Sequence, residues 1–135
     1  MAQMHKSVAT LRIIGDDLLP TDVSRLLNCT PTTAQKKDDV IVGKSGLQRN
    51  VRTGMWSLQS KDQQPENLDG QIEEILGKLT TNMEIWQTLT RRFRVDMFCG
   101  VFMSGGNEGL SISPTSLLSL GQRGIQLGLD VYGPE

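Results

Sequence analysis

The feature that most constrains the fold is the apolar run from Val95 to Met103, VDMFCGVFM. Apolar residues occupy both alternate faces of this run, and only Asp96 and Gly100 interrupt it. A short run of this kind is typical of a strand inside a sheet that is covered on two sides. We therefore expect the chain to build a sheet around this segment.

Several other segments have the composition or alternation of strands. Val8–Ile14 is rich in β-branched residues, and Gly54–Ser60 and Ile125–Tyr132 alternate apolar with polar or small residues. Shorter strands are predicted at Val40–Val42 and at Leu110–Ile112. The predicted sheet thus has four to six strands, mainly antiparallel or mixed.

Helical signals lie between these strands. A short amphipathic helix begins at Pro20 and ends near Asn28, and apolar residues at helical spacing predict another over Leu68–Leu79. A further helix is predicted to start at Thr81 with a capping box, unless it forms one long bent helix with the preceding one. The segment Pro114–Arg123 has a Ser cap before it and a Gly after it, which predicts a fourth helix.

The predicted architecture is a single α+β domain over residues 1–135, with three to four helices packed on one face of the sheet. A weak internal echo relates residues 11–32 to residues 110–132 and favours two βαβ-like halves or a ferredoxin-like layout. Residues 1–7 are expected to form a flexible N-terminal segment. Residues 30–39 show no apolar period and are expected to form a surface loop.

Charge and composition exclude several classes of function. Fourteen basic against fifteen acidic residues leave no broad basic face, so nucleic acid is not an expected partner. No segment approaches the roughly 20 apolar residues of a membrane span, and we expect a cytoplasmic protein with no membrane partner. Cys29 and Cys99 are expected to be reduced, and because His5 is the one histidine, no metal site and no cofactor are predicted.

Two glycine-containing segments resemble phosphate loops, and neither fits. Gly43–Ser45 reads GKS, but Asp38 occupies the place of the first glycine of a nucleotide-binding loop and no helix pattern follows. In Phe98–Ser113, FCGVFMSGGNEGLSIS, the glycines do not lead directly into a helix. This second segment is interpreted as a hairpin connection whose glycines supply unusual backbone angles.

Five residues are the candidate ligand-binding set. Asp16 and Asp17 follow the first strand, Asn107 and Glu108 lie in the GGNEG turn, and Trp56 lies in a predicted strand. They would form a cleft if their loops converge at one edge of the sheet. Turn formation and stabilisation of the helix dipole explain the two aspartates better than a cation site does, and the phase of Trp56 in its strand favours a core residue over a ligand platform.

No catalytic residues are proposed from the sequence, since no internal histidine is present to form a Ser-His-Asp or Cys-His pair. Asp96 and Asp130 each interrupt a predicted strand with a charge. They are expected on the helix-free face of the sheet, as solvated carboxylates.

The ordered segments TLRIIGDDLLPTDVSRLLNCTPTTAQKKDD, GMWSLQS and FRVDMFCGVFMSGGNEGLSISPTSLLSLGQRGIQLGLDVYG together resemble the bacterial family of domain of unknown function 4279. The resemblance runs from Thr10 to Gly133. Leu19 stands where members often carry a polar cap, and Asn28 where glycine is frequent. The resemblance implies this fold but no activity, because the family has none that is established.

Three hypotheses for function follow. The first is a non-enzymatic binding or protein-interaction module, of which a protective protein of the antidote type is one form. The second is a small-ligand or metal-binding sensor, or a minor enzyme, with its cleft near the GDD and GGNEG turns. The third, homo-oligomerisation through an apolar strand face, is compatible with either.

Overall fold

The computed structural model describes residues 2–134, and its elements follow the order β1, α1, β2, β3, β4, β5, α2, α3, β6, α4, β7. The strands are β1 Lys6–Gly15, β2 Thr33–Gln35, β3 Val40–Val42, β4 Gln48–Asn50, β5 Gly54–Gln59, β6 Arg94–Phe102 and β7 Gln126–Tyr132. The helices are α1 Pro20–Leu27, α2 Leu68–Leu76, α3 Met83–Arg92 and α4 Pro114–Arg123. The α+β class predicted from the sequence is confirmed.

Five strands form one mixed sheet in the order β2-β5-β1-β6-β7, and β3 pairs with β4 in a separate hairpin. β1 is antiparallel to both of its neighbours, and β6 is parallel to β7. β6 therefore lies inside the sheet, as its apolar run predicts. β2 and β7 are the two edges.

The chain contains two βαβ-like halves, which is one of the two predicted layouts. In the second half, β6, α4 and β7 make a crossover between adjacent parallel strands. In the first half, β1 and β2 are both antiparallel to β5, so they are parallel to each other with β5 inserted between them. The two halves meet where β1 pairs with β6.

The core lies on one face of the sheet. Trp56 on β5 pairs with Ile13 on β1, Met97 on β6 pairs with Leu11, and all four side chains are buried on the face that the helices cover. Within residues 2–134 no helix covers the opposite face, and Phe98 on that face is half-buried. β6 is therefore covered by helices on one side and not on two, which corrects the sequence interpretation.

The ends of α1 and α4 agree with those predicted from the sequence. Leu19 caps α1 without a side-chain hydrogen bond, and Asn28 ends it in the left-handed region with φ 58°. The hydroxyl of Ser113 accepts a hydrogen bond from the backbone of Ser116, and Gly124 ends α4 with φ 75°. A left-handed residue after a helix satisfies carbonyls that would otherwise have no partner.

The start of α3 differs from its prediction. The side chain of Asn82, and not that of Thr81, accepts from the backbone N–H of Glu84. α2 and α3 are separate helices, so the alternative of one long helix is wrong. Asn is at least as favourable as Thr at a cap position. With Asn82 as the cap, α3 starts one residue later than predicted.

Two segments were assigned wrongly from the sequence. Residues 30–39, expected to be a loop, contain β2, which pairs with β5 through backbone hydrogen bonds and needs no apolar period. Leu110–Ile112 is not a strand, and only Gly109 nearby forms an isolated bridge, to Gln3.

The GGNEG segment is also not a hairpin, because it connects β6 to the crossover helix α4. Gly105, Gly106 and Gly109 do not adopt left-handed angles; within residues 2–134 the glycines that do are Gly46 and Gly124.

The described part of segment 1–7 makes contacts with the domain, which differs from the expectation of a loose tail. Met4 is buried in the core cluster, and Ser7 lies in β1 with its hydroxyl hydrogen-bonded to Gln71 of α2. Whether this segment moves stays a prediction. Both cysteines are free; Cys99 is buried and Cys29 is partly buried. Burial raises the pKa of the Cys99 thiol to about 12.

Candidate functional site

The two turns of the predicted cleft lie at opposite ends of the sheet. The Asp16-Asp17 turn follows Gly15, whose partner on β5 is Gly54. The GGNEG turn follows Phe102, whose partner is Lys6 at the other end of β1. Nine residue steps along a strand span roughly 30 Å, so one cleft does not contain both turns. Ligand binding by either turn alone stays a prediction.

The first turn is exposed and has its own structural contacts. Asp16 lies 3.5 Å from Lys37 Nζ. The pKa of Asp16 is lowered, first by a hydrogen bond from Thr53 and then by the charge of Lys37. These contacts join the turn to the segments on either side of the β3–β4 hairpin. This agrees with the structural interpretation of the aspartates.

The GGNEG turn is closed by its own glutamate. The Glu108 carboxylate accepts hydrogen bonds from Ser104, from the backbone N–H at 2.9 Å and from the hydroxyl at 2.9 Å. The pKa of Glu108 is lowered, first by the backbone bond and then by the hydroxyl bond. Asn107 is exposed at the tip. Glu108 therefore has a local role in holding the turn.

Trp56 is fully buried on the helix-covered face. Its indole Nε1 donates to the Ser24 hydroxyl of α1 at 3.0 Å. The indole thus fills the core between β5 and α1 with its polar atom satisfied, as buried tryptophans usually are. It belongs to neither turn.

A line of polar side chains crosses the helix-free face at one level of the sheet. Each member is the register partner of the next, from β2 to β7. We call this set the polar row: Thr33, Ser57, Arg12, Asp96 and Gln126.

The centre of the polar row is an arginine–aspartate pair. Arg12 Nε donates to Asp96 Oδ1 at 2.8 Å, and Nη2 donates to Oδ2 at 2.7 Å. The guanidinium also lies 4.3 Å from the ring centre of Phe98. The hydrogen bond that Arg12 donates to Asp96 raises the pKa of Arg12, and burial opposes this rise. Nε and Nη2 both donate to the carboxylate, so this bidentate pair joins β1 to β6.

Asp96 does lie on the helix-free face, but it is paired and only 8% exposed, so it is not a solvated carboxylate. Asp130 lies on the same face and accepts from the Tyr132 hydroxyl at 2.7 Å. This bond, with the charge of Asp130, raises the pKa of Tyr132. The Tyr132 ring stacks on Phe102, with ring centres 4.6 Å apart.

The β7 edge is the most exposed apolar part of the sheet. Leu129 is 47% exposed and Val131 is 51% exposed. Within residues 2–134, β7 pairs with β6 and no strand pairs with its other side. α4, which packs against β7, adds exposed Leu117 and Leu118. The alternation in the sequence predicts this strand, but it does not reveal that the strand lies at an edge of the sheet.

The polar row had a signal in the sequence that could have revealed its central pair. Arg12 interrupts a β-branched run and Asp96 interrupts an apolar run, and opposite charges inside two strands favour pairing of those strands.

Two further observations concern ligands and membranes. Among residues 2–134, no three His, Cys, Asp or Glu side chains come close enough to hold a metal ion. In the same part of the chain, no helix is long and apolar enough to cross a bilayer.

The fold and the open edge define an α+β domain whose sheet has one bare face. The family model for a domain of unknown function, DUF4279, matches residues 3–134. The chain belongs to this family. No curated protein and no solved structure matches it significantly.

Proposed function

We propose that this protein is a protein-interaction module that accepts an extended segment of a partner protein along β7. The observation that carries the proposal is the edge itself, which is 7 residues long, open on its outer side within residues 2–134, and apolar at the half-exposed Leu129 and Val131. Folded proteins shorten, charge or cover such edges because free backbone groups recruit other strands. Strand addition to an exposed edge is a common way to recognise peptides.

The side chains of β7 favour a particular residue pattern in the partner segment. Leu129 and Val131 point to the helix-covered face, and Asp130 points to the helix-free face. Opposite charges and apolar pairs across neighbouring strands are favourable, and like charges are not. The matching segment alternates β-branched apolar residues with a basic residue placed next to Asp130.

A second copy of the chain fits this edge less well. Antiparallel pairing of two β7 strands about a two-fold axis would bring two Asp130 carboxylates to the same face of the joined sheet. Diagonal neighbours in such a pair are about 7–8 Å apart, and like charges at that separation oppose association. Sedimentation at rising protein concentration measures whether the protein dimerises. A dimer that forms in preference to peptide binding would contradict the proposal.

The direct test is fluorescence anisotropy with labelled heptapeptides. One peptide alternates Val with Lys, a second alternates Val with Glu, and a third is the Val/Lys peptide with Pro at its centre. We expect the Val/Lys peptide to bind, the Val/Glu peptide to bind several-fold more weakly, and the Pro peptide to lose binding because it lacks a ladder donor. Equal binding of all three, or binding of none, would contradict strand addition.

Matched variants assign the binding to the edge. Leu129→Lys and Val131→Lys place like charge beside the peptide and should weaken the Val/Lys complex. Val40→Lys and Val42→Lys are the controls, because these residues are exposed to a similar degree on the separate β3–β4 hairpin. Equal weakening by both pairs would show that binding is not at β7.

A further inference from the structure

A cleft of about 500 Å³ lies between α2 and α4, and none of its lining residues belongs to β7. This volume is within the range of sites that bind small molecules. Its floor is apolar and its two walls are polar. The lining residues that matter here are Ile72 and Leu76 on the floor, Asp69 and Glu73 on α2, and Ser119 and Arg123 on α4.

Arg123 is the unusual residue of the cleft. It is only 9% exposed and forms no salt bridge within residues 2–134. Its Nη1 donates to the Ser119 carbonyl at 3.0 Å, and its Nε is buried without any partner. Buried guanidinium groups are normally paired, because an uncompensated charge is costly. Burial accordingly lowers the pKa of Arg123.

The ring of Trp86 does not compensate the charge of Arg123 as a carboxylate would. The Arg123 guanidinium carbon lies 5.9 Å from the Trp86 ring centre, at the outer limit of a cation–π contact. Arg123 lines the cleft, and its Nη2 forms no hydrogen bond within residues 2–134, so the guanidinium keeps N–H donors for a carboxylate. Arg123 therefore offers the cationic half of an anion site.

The α2 wall has the opposite charge. Glu73 is exposed at the rim of the cleft. Asp69 accepts from the Ser113 backbone N–H at 2.9 Å and from the Ser116 hydroxyl at 2.7 Å, so its main role is to hold the start of α4. Two carboxylates across from one arginine oppose a dianion such as phosphate, and they favour a ligand that carries its own cationic end.

We propose that the α2–α4 cleft binds a small zwitterion, with an α-amino acid as the simplest class, its carboxylate on Arg123 and its ammonium group towards Glu73. This site is separate from the β7 edge and does not depend on the proposed peptide binding. The ligand carboxylate would supply the counter-charge that Arg123 lacks within residues 2–134. The hydroxyl-bearing face of α4 supplies further hydrogen bonds.

The test uses ligand-observed NMR on the whole protein with a mixture of the twenty standard amino acids. Acetate, methylammonium and inorganic phosphate are tested separately as simple ions. We expect one or more amino acids to bind, acetate to bind more weakly, and phosphate to bind no better than acetate. Protein amide shifts should map to α2 and α4. Absence of binding by every amino acid, or shifts that map elsewhere, would overturn the proposal.

Three variants separate the two ends of the ligand. Arg123→Lys keeps the charge but loses the fork, and should weaken the amino acid and acetate about tenfold or more. Glu73→Gln should weaken the amino acid several-fold and leave acetate unchanged. Glu74→Gln, on the same helix but outside the cleft lining, is the matched control. If Arg123→Lys does not fold, Glu73→Gln and Glu74→Gln still test the proposal. Equal effects of these two variants on amino acid binding would contradict a site in the α2–α4 cleft.

Discussion

The two edges of the sheet are built differently. β2 is 3 residues long, follows Pro31 and is followed by Lys36 and Lys37, and it carries no large apolar side chain. β7 is 7 residues long and leaves Leu129 and Val131 about half exposed. Short length, proline and lysine are the features by which proteins protect an edge from unwanted pairing. One edge therefore has these protections and the other lacks most of them.

The edges also differ in what holds them to the sheet. The Ser57 hydroxyl links β2 to β5 through the Thr33 hydroxyl at 2.7 Å. β7 is held from its helical side, where α4 inserts Leu120 into the core and Ile125 precedes the strand. A partner strand at β7 thus meets a strand that the core supports.

The largest effect is expected at Leu120, which is 2% exposed. Leu120→Ala should lower the free energy of unfolding by about 2–5 kcal/mol, because the lost methyl groups leave a cavity under α4. Chemical denaturation measures this. Leu117→Ala on the exposed side of the same helix is the control and should change stability by no more than about 0.5 kcal/mol. Equal losses would mean that α4 does not anchor the β7 half through Leu120.

Asp69→Ala should cost about 1 kcal/mol at neutral pH, since the carboxylate caps the start of α4. Burial raises the pKa of Asp69, but hydrogen bonds from Ser113 and Ser116 lower it more, and the folded value lies below 3.8. This contribution is present above the unfolded value and is lost as pH falls through the folded pKa. The difference between wild type and variant should therefore shrink below about pH 4 in denaturation curves. A constant difference would contradict the capping role.

At the opposite edge, Ser57→Ala removes both hydroxyl contacts to β2. Stability should fall by about 0.5–1.5 kcal/mol, the usual net value of a hydrogen bond. Amide exchange followed by NMR should become faster in β2 and stay unchanged in β7. Faster exchange at β7 would show that the two edges are coupled, against the account given above.

The smallest effect is expected from the exposed positions of β7 themselves. Leu129→Lys and Val131→Lys should each change the free energy of unfolding by no more than about 0.5 kcal/mol, because neither side chain is buried. Thermal denaturation is sufficient to check this. A loss of several kcal/mol would indicate that these residues pack within the domain and are not available to a partner.

Much of the fold follows from local patterns in the sequence. A β-branched run predicts β1, an apolar run predicts β6, helical spacing predicts α2, and the Ser-Pro and Gly signals bound α4, because these features act over a few residues. β2 was missed since its support is a hydroxyl pair and a backbone ladder, neither of which leaves an apolar period. Leu110–Ile112 resembles a strand but has no neighbour to pair with.

The candidate sites were less accessible to sequence reasoning because they depend on strand order. Nothing local indicates that the turn of Asp16 and the turn of Glu108 lie at opposite ends of β1. The half-exposure of Leu129 follows from the edge position of β7 and not from its alternation. Arg123 lies in the last turn of α4, where positive side chains are common. Only the packing of α2 and α3 around it reveals that its charge is buried.

The most direct test of the β7 account is hydrogen exchange measured residue by residue with and without the Val/Lys heptapeptide. Strand addition predicts that the outward-facing backbone amides of β7 gain protection in alternation along the strand, while those of β2 do not change. Protection confined to β2 or to the helices, or peptide binding with no change at β7, would contradict the central claim.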